Sequence, residues 1–494
     1  MTADLDKDIE AILSALEDES DPVEDRAETH YNLGVVIYES AMGDPWLYKL
    51  AAQSFTEAAE LGYPKAQYNL GRMYSAAEGV PKNYETAIKW CTLAAQQGNT
   101  NAHYMLGNMY DKGNGVSQCH ETAAYWFSKA AEQGYARAQF QLGVRYENGT
   151  GVHNNFELAV KWYTLAAEQG YVWAQYNLGK MYLDGIGVPL NEDVALKWHT
   201  KAAEQGHASG QLLVGEAYNK RKDYAEAVKW FRLSAAQGHP VGQHYLGDAY
   251  REGKGFSQSF QAAVEWYTKA AEQEYFHAQY NMGVIYEHGL GVPKNDNTAL
   301  KWYTLAAEQG YAAAQYNVGV IYERGLGVPE NDNEAFKWYT LAAKQGIAEA
   351  QYNLGMTYQF GKGAPVSGLS AVRWYSLAAD QGHINAQYQL GFMYDQGDDI
   401  PKNEQVAIEW FTLAAKQEDT DSQLYLGAMY DDEMGTRDTT DYLRAHMWYE
   451  LAAYNGDLKG DDYKEQVAKK MTQAQIAKAQ DMSSRCLESG YTDC

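Results

Sequence analysis

The sequence predicts an all-α fold, a solenoid of about twelve helix-turn-helix repeats with terminal capping helices, and three observations predict it. Glycine, almost always preceded by Leu, Met or Val, recurs at 34, 71, 107, 143, 179, 215, 247, 283, 319, 355, 391 and 427, a spacing of 36 broken once by 37 and once by 32. Nineteen residues after nearly every such glycine stands a tryptophan (90, 126, 162, 198, 266, 302, 338, 374 and 410), with the offset 15 at Trp230 and 21 at Phe55 and Trp448. Stretches 280–311 and 316–347 are identical at 25 of 32 positions. Self-similarity at one fixed period marks a stack of supersecondary units, so the length reflects repetition and not several globular domains.

Within the unit beginning at Ala278, apolar and small residues return every three to four positions, which gives two helices. Gly289 and Gly291 end the first helix and Pro293 bars its continuation. Asp296 or Asn297 can cap the second helix, and Gly310 fits the left-handed position after it. Gly283 and the pair Ala306-Ala307 lack bulk and let helices approach, while Trp302 and Tyr286 are expected to fill the space between units. One unit cannot bury both of its faces, so the stack is the folding entity. Truncating a fully buried tryptophan there should cost about 3–5 kcal/mol.

Three places depart from the period. Residues 1–29 lie outside it, with an apolar stripe of Leu5, Ile9, Ile12, Leu13 and Leu16 among eleven acids that reads as an N-terminal capping helix, a dimerisation helix being the alternative. The solenoid should then run over 30–456 and capping helices over 457–494. The short unit at 209–241 lacks the Gly-x-Gly-Val-Pro turn and carries Lys220-Arg221-Lys222, a place where the solenoid could bend. Glu274 and Glu418 replace the glycine that ends their second helices and need another cap.

Composition limits the function. Forty Lys plus Arg against 65 Asp plus Glu give a net charge of -25, which argues against nucleic acid or an anionic membrane as partner and suits a basic one. No apolar stretch is long enough to span a bilayer. The N-terminus carries acids where a signal peptide has a basic region, so a cytoplasmic location is expected. Four cysteines form no disulfide framework, though Cys486 and Cys494 could pair in an oxidising compartment. Tyrosines (41) far outnumber phenylalanines (12), so many rings carry a hydroxyl that needs water or a partner.

No catalytic constellation emerges. The Gly-x-Gly pairs join two helices, with no preceding strand and no Gly-Lys-Ser/Thr, so they are not phosphate cradles. There is no His-Glu-x-x-His and no Gly-x-Ser-x-Gly, and Cys119-His120 lacks further metal ligands nearby. Neither an enzyme nor a cofactor or metal site is expected.

The pattern Ala66, Leu70, Gly71, Tyr74, Gly79, Val80, Ala87, Trp90, Ala94, Ala95, Gly98 resembles the Sel-1-like repeat family, relatives of tetratricopeptide repeats, and the match spans about 30–456. The tail from Ala445 to Gln480 looks like the C-terminal cap of bacterial members, and Thr472 with Gln475 has capping-box spacing, predicting a helix over about 472–488. The resemblance implies a right-handed α/α superhelix that scaffolds protein complexes through its concave groove. An inhibitory or immunity-type protein that neutralises a cognate toxin or enzyme is the alternative it allows.

In such solenoids the groove is lined by first-helix positions three and two before the glycine and one and four after it. Here the first two form a Tyr-Asn ladder, among them Tyr68-Asn69, Tyr176-Asn177, Tyr280-Asn281, Tyr316-Asn317 and Tyr352-Asn353. Its amides can hold an extended peptide backbone or bond to adjacent helices. The position after the glycine turns apolar in the later half, at Val284, Val320, Met356 and Phe392, and acids such as Glu287 and Glu323 follow three residues on. These point to a protein or peptide partner with apolar anchors and basic flanks, or to an acidic solvated face beside residues that pack between units.

Overall fold

A computed structural model describes residues 22–397, 399–431, 441–492 and 494, in which all regular structure is helical. The chain divides into two compact units, Met1–His239 and Pro240–Cys494, and the division falls at the end of the short repeat. Most of the expected N-terminal capping helix lies outside the described residues. The first described helix, Val23–Ser40, already pairs with Pro45–Glu60 as a repeat.

The repeat containing Phe276–His288 and Asp296–Glu308 shows how sequence becomes a helix pair. Gly289 ends the first helix in the left-handed conformation (φ 68°). Gly291 then passes so close to the preceding repeat's second helix that a Cβ there would sit 2.7 Å from Cβ of Phe260. Each Gly-x-Gly loop thus clamps the start of the helix before it. The second helix is capped by Asn295, not by Asp296 or Asn297: Asn295 is extended and its side chain accepts from the Thr298 N–H at 2.9 Å, leaving Asp296 as the first helical residue.

In most pairs the buried ring is not the expected tryptophan, Trp448, 3% exposed, being an exception. Trp302 is half-buried and packs with Tyr286 on the preceding repeat's core, whereas Tyr303, one residue later, is fully buried. A Cβ on Gly283 would lie 2.4 Å from the Tyr303 ring, so only glycine admits that ring. The same contact joins Gly34 to Phe55, which therefore occupies the tyrosine register and not the tryptophan register. A rotation of about 100° separates the two residues: Trp302 leans toward the neighbouring repeat while Tyr303 points at its own first helix.

A buried glutamine ladder runs through both units. Gln279 donates to the Ala271 carbonyl of the preceding second helix at 3.2 Å and accepts from Gln309 of its own second helix at 2.7 Å. Gln175 with Gln205 in the first unit and Gln315, Gln351 and Gln387 in the second repeat the arrangement. One amide thereby ties three helices at each of these joints, whereas His103 holds the position in the repeat over 100–135.

Glu274 and Glu418 keep the glycine backbone geometry, with φ of 61° and 67°, and tolerate the left-handed region at a cost of about 1–2 kcal/mol each. At the C-terminus, Leu458–Ala468 and Gln473–Glu488 pack on Tyr442–Tyr454. The Thr472–Gln475 capping box forms in both directions. Cys486 is bonded to Cys494, with Cα atoms 4.8 Å apart, and is fully buried beside Val467 and Tyr491.

The burial difference sets an order of stability. Tyr303→Ala should cost about 3–5 kcal/mol, and Trp302→Ala clearly less. Urea unfolding of the full chain measures both, and a larger loss at Trp302 would contradict the packing described.

Candidate functional site

Twelve of the sixteen expected site residues lie in the second unit, on the first helices Phe276–His288, Ala312–Arg324, Ala348–Phe360 and Ile384–Gln396. Tyr68 and Asn69 lie on Pro64–Ala76, and Tyr176 and Asn177 on Val172–Asp184, in the first unit. Tyr280 and Val284, Tyr316 and Val320, Tyr352 and Met356, and Phe392 are half-buried, and each packs against a core built from its own repeat's second helix and the first helix of the repeat that follows. Their remaining surface forms an aromatic and apolar row, repeated once per helix pair.

The polar positions are engaged within the scaffold. Tyr303 donates its hydroxyl to Glu287 at 2.6 Å, and Tyr339 to Glu323 at 2.7 Å. Asn177 donates to the Tyr163 hydroxyl at 3.2 Å and Asn281 pairs with His244, while Asn317 lies beside Tyr280 and Tyr303, and Asn353 beside Tyr316 and Tyr339. Burial first, and the Glu287 carboxylate second, push the Tyr303 phenol well above its usual range. The amides therefore bond adjacent helices, and the acids serve buried hydroxyls more than they form a solvated rim.

Where the ring changes, its partners change with it. Phe127 has no hydroxyl, and Asp111 pairs with Arg145 of the next repeat at 2.7 Å, the guanidinium lying over the Phe127 ring. Phe411 leaves Asp395, 2% exposed, facing Lys402 at 3.7 Å. Cys91 meets the sulfur of Met105. In the first unit His199 holds this position, fully inside the fold, and Gly179 lies under its ring.

Two features escaped the sequence reading. The glutamine ladder was hidden because Gln279 stands beside the Tyr-Asn pair that drew attention, although Ala-Gln-Tyr-Asn recurs with the period. The second is a row of leucines three residues after the tryptophans: Leu305, Leu341, Leu377 and Leu413 are 36 to 46% exposed on second helices of the second unit. Their recurrence at 36 residues was the available signal. The basic cluster of the short repeat is largely neutralised, Lys220 bonding Glu192 and Arg221 bonding Asp193, each at 2.6 Å. Among the described residues no group of His, Cys, Asp and Glu is placed to hold a metal ion, and no helix is long and apolar enough to cross a membrane.

Burial pushes the His199 imidazole down to about 4. Between about pH 6.5 and 4 the unfolded chain therefore binds a proton there that the folded chain does not, and stability rises with pH across that window. The contribution is complete above about pH 6.5 and is lost on acidification, by at most about 3 kcal/mol. In urea unfolding from pH 7 to 5, His199→Phe, the ring type already accepted at Phe127 and Phe231, should show a shallower decline than wild type. Parallel declines would contradict a buried neutral imidazole.

The chain matches the Sel1 repeat family twelve times, over residues 27–63, 64–99, 100–135, 136–171, 174–207, 209–239, 240–275, 276–311, 312–347, 348–383, 384–419 and 420–457. It is similar to the crystal structure of a protective antigen present in uropathogenic Escherichia coli strains that displays an SLR fold, with 35% identity, 89% of this chain and 96% of that chain covered, and a TM-score of 0.72. A Sel1 repeat protein from Oxalobacter formigenes shares 34% identity over 62% of this chain and 90% of its own, with a TM-score of 0.52. An immunity protein from Pseudomonas aeruginosa aligns at 21% identity over 44% of this chain and 81% of its own, and its TM-score of 0.27 gives it no weight in the argument. No functionally curated protein matches the chain.

Proposed function

Because the chain belongs to the Sel1 repeat family, we propose that it is a non-enzymatic scaffold that binds a partner protein or peptide along the first-helix faces of its repeats. The observation that carries this reading is the half-buried row Tyr280/Val284, Tyr316/Val320, Tyr352/Met356 and Phe392, carried by four consecutive repeats of the second unit. The polar tips behind the row are already bonded, so it offers a partner aromatic and apolar surface at fixed intervals. Apolar anchors on the partner suit it better than basic flanks do, since Glu287 and Glu323 are held by tyrosine hydroxyls. Tyr68, Asn69, Tyr176 and Asn177 occupy the equivalent positions in the first unit, where Arg72 and Lys180 replace the apolar residue after the glycine. An inhibitor of a cognate enzyme would use these faces in the same way.

The test compares two triple variants of the full chain, Val284→Lys/Val320→Lys/Met356→Lys on the first-helix row and Leu305→Lys/Leu341→Lys/Leu377→Lys on the exposed leucine row. The first should abolish capture of a wild-type partner and the second leave it intact, with melting followed for both. The opposite pattern would place the partner on the second helices.

The Cys486–Cys494 bond supports an oxidising compartment over the expected cytoplasmic one. Alkylation of protein taken directly from its native cells, read by mass spectrometry, should leave these two cysteines unlabelled under non-reducing denaturation. Full labelling would return the protein to a reducing compartment.

A further inference from the structure

Charge is not spread evenly over the first helices. Pro64–Ala76, Thr100–Lys112, Ala136–Asn148 and Val172–Asp184 of the first unit carry six Lys and Arg against three Asp and Glu. The four first helices that bear the aromatic and apolar row of the second unit carry one against four. A chain of net charge -25 thus keeps a basic stretch on one set of repeat faces. Charges are screened over about 8 Å in physiological salt, so a partner at that face meets the local cations before the net charge.

Most charged groups there are engaged, and three cations are not. Glu147 accepts from Tyr163, Asp111 is paired with Arg145, and Arg72 is paired with Glu78 at 3.3 Å. Lys65, Arg137 and Lys180 are exposed and pair with no carboxylate among the described residues. Lys65 and Arg137 stand six residues before their glycines and Lys180 one after its own. Those registers differ by seven residues, which returns a helix to within about 20° of the same direction, so the three cations share one face. In the second unit the same registers hold Ala313, Glu349 and Asn385, and Val284, Val320 and Met356.

The groups around these cations are donors. Lys65 lines a cavity of about 480 Å³ together with Tyr68, Asn69, Asn99, Thr100 and Asn101, and no described carboxylate borders it. Burial pushes the phenols of Tyr68 and Tyr171 up, and the Arg137 charge reaches both, so they stand near it as protonated donors at neutral pH. Neither hydroxyl has a hydrogen-bond partner among the described residues. Tyr171 packs on Phe140 with ring centroids 5.1 Å apart, and Trp173, two residues on, is 52% exposed. Ammonium, guanidinium and phenol groups all donate, and a carboxylate accepts from each. We propose that this first-helix face of the first unit binds an acidic segment of a partner protein, whose Asp and Glu side chains pair with Lys65, Arg137 and Lys180. The inference rests on the reading that first-helix faces receive the partner, and it names what the partner presents to the first unit.

The experiment selects a random dodecapeptide library on the full chain in about 150 mM salt and titrates the recovered peptides by fluorescence anisotropy. Peptides recovered on wild type should be rich in Asp and Glu. Arg137→Glu/Lys180→Glu should weaken them at least about tenfold, the scale of one charge-assisted hydrogen bond. Lys161→Glu/Lys301→Glu, an equal change of charge on exposed positions of second helices, should leave them bound. Melting is followed for each variant, and Arg137→Gln/Lys180→Gln takes the place of the reversed pair if that pair fails to fold. No recovered peptide, recovered peptides without acid enrichment, equal weakening by both pairs, or undiminished binding to the folded Arg137/Lys180 variant would each overturn the proposal. Val284→Lys/Val320→Lys/Met356→Lys separates this inference from the reading beneath it. Loss of the peptides there but not at Arg137 and Lys180 overturns the acidic segment alone, whereas peptides indifferent to both sets of substitutions remove the first-helix faces as well.

Discussion

In every repeat but the one with Cys91, the glycine of the first helix lies directly under the ring of the second. With no Cβ at Gly283, Gly319 or Gly355, the rings of Tyr303, Tyr339 and Tyr375 lie flat against the first-helix backbone. A methyl group there would overlap the ring by more than a side chain can yield. That contact fixes the distance between the two helices, and the distance fixes which atoms the ring tip reaches. The hydroxyl then finds the residue four after the glycine and an amide of the next repeat, so one apolar constraint also sets the polar register between repeats.

From this follows a division of labour that is unusual for an acidic protein rich in tyrosine. The acids and amides of the first helices are largely occupied in holding rings, and the glutamine ladder is occupied in holding helices. Buried polar groups satisfied this way specify one stacking register, because a slip of one residue would leave hydroxyls and amides unpaired at every joint. The side chains these bonds leave uncommitted are largely apolar: half-buried valine and methionine on one set of helices, and exposed leucine on the other.

Much of this was legible in the sequence. Period, helix pairing, loop glycines and the C-terminal capping box can each be read from spacing, since each depends on local backbone geometry. Phase within a helix was harder. Trp302 and Tyr303 are adjacent, both aromatic and both periodic, and only the angle at which the helices cross decides which one enters the core. The same uncertainty put the cap at Asp296 and not Asn295, a shift of one residue in a run of three competent side chains. Glu287 and Asn317 look like ligand contacts when the helix is viewed alone, because the tyrosine hydroxyl that takes them up arrives from another helix. Periodicity shows which residues share a face; it does not show what faces them.

A repeat protein carries its own controls, and its departures from the pattern fall into two kinds. Some are compensated: Phe127 loses a hydroxyl and Arg145 arrives to pair Asp111, Glu274 keeps the backbone angle of the glycine it replaces, and Lys220 bridges to the helix that a missing loop would have covered. Stacking alone accounts for these. Others are not compensated. His199 sits between two leucines with a nitrogen unanswered, and Phe360, Val366 and Leu369 stand 56, 56 and 73% exposed where the preceding repeat has Arg324, Glu330 and Asn333. The scaffold gains nothing from an unpaired buried acceptor, which costs on the order of 1–3 kcal/mol. Six other repeats carry a buried tyrosine at this position, so stacking alone does not account for the imidazole.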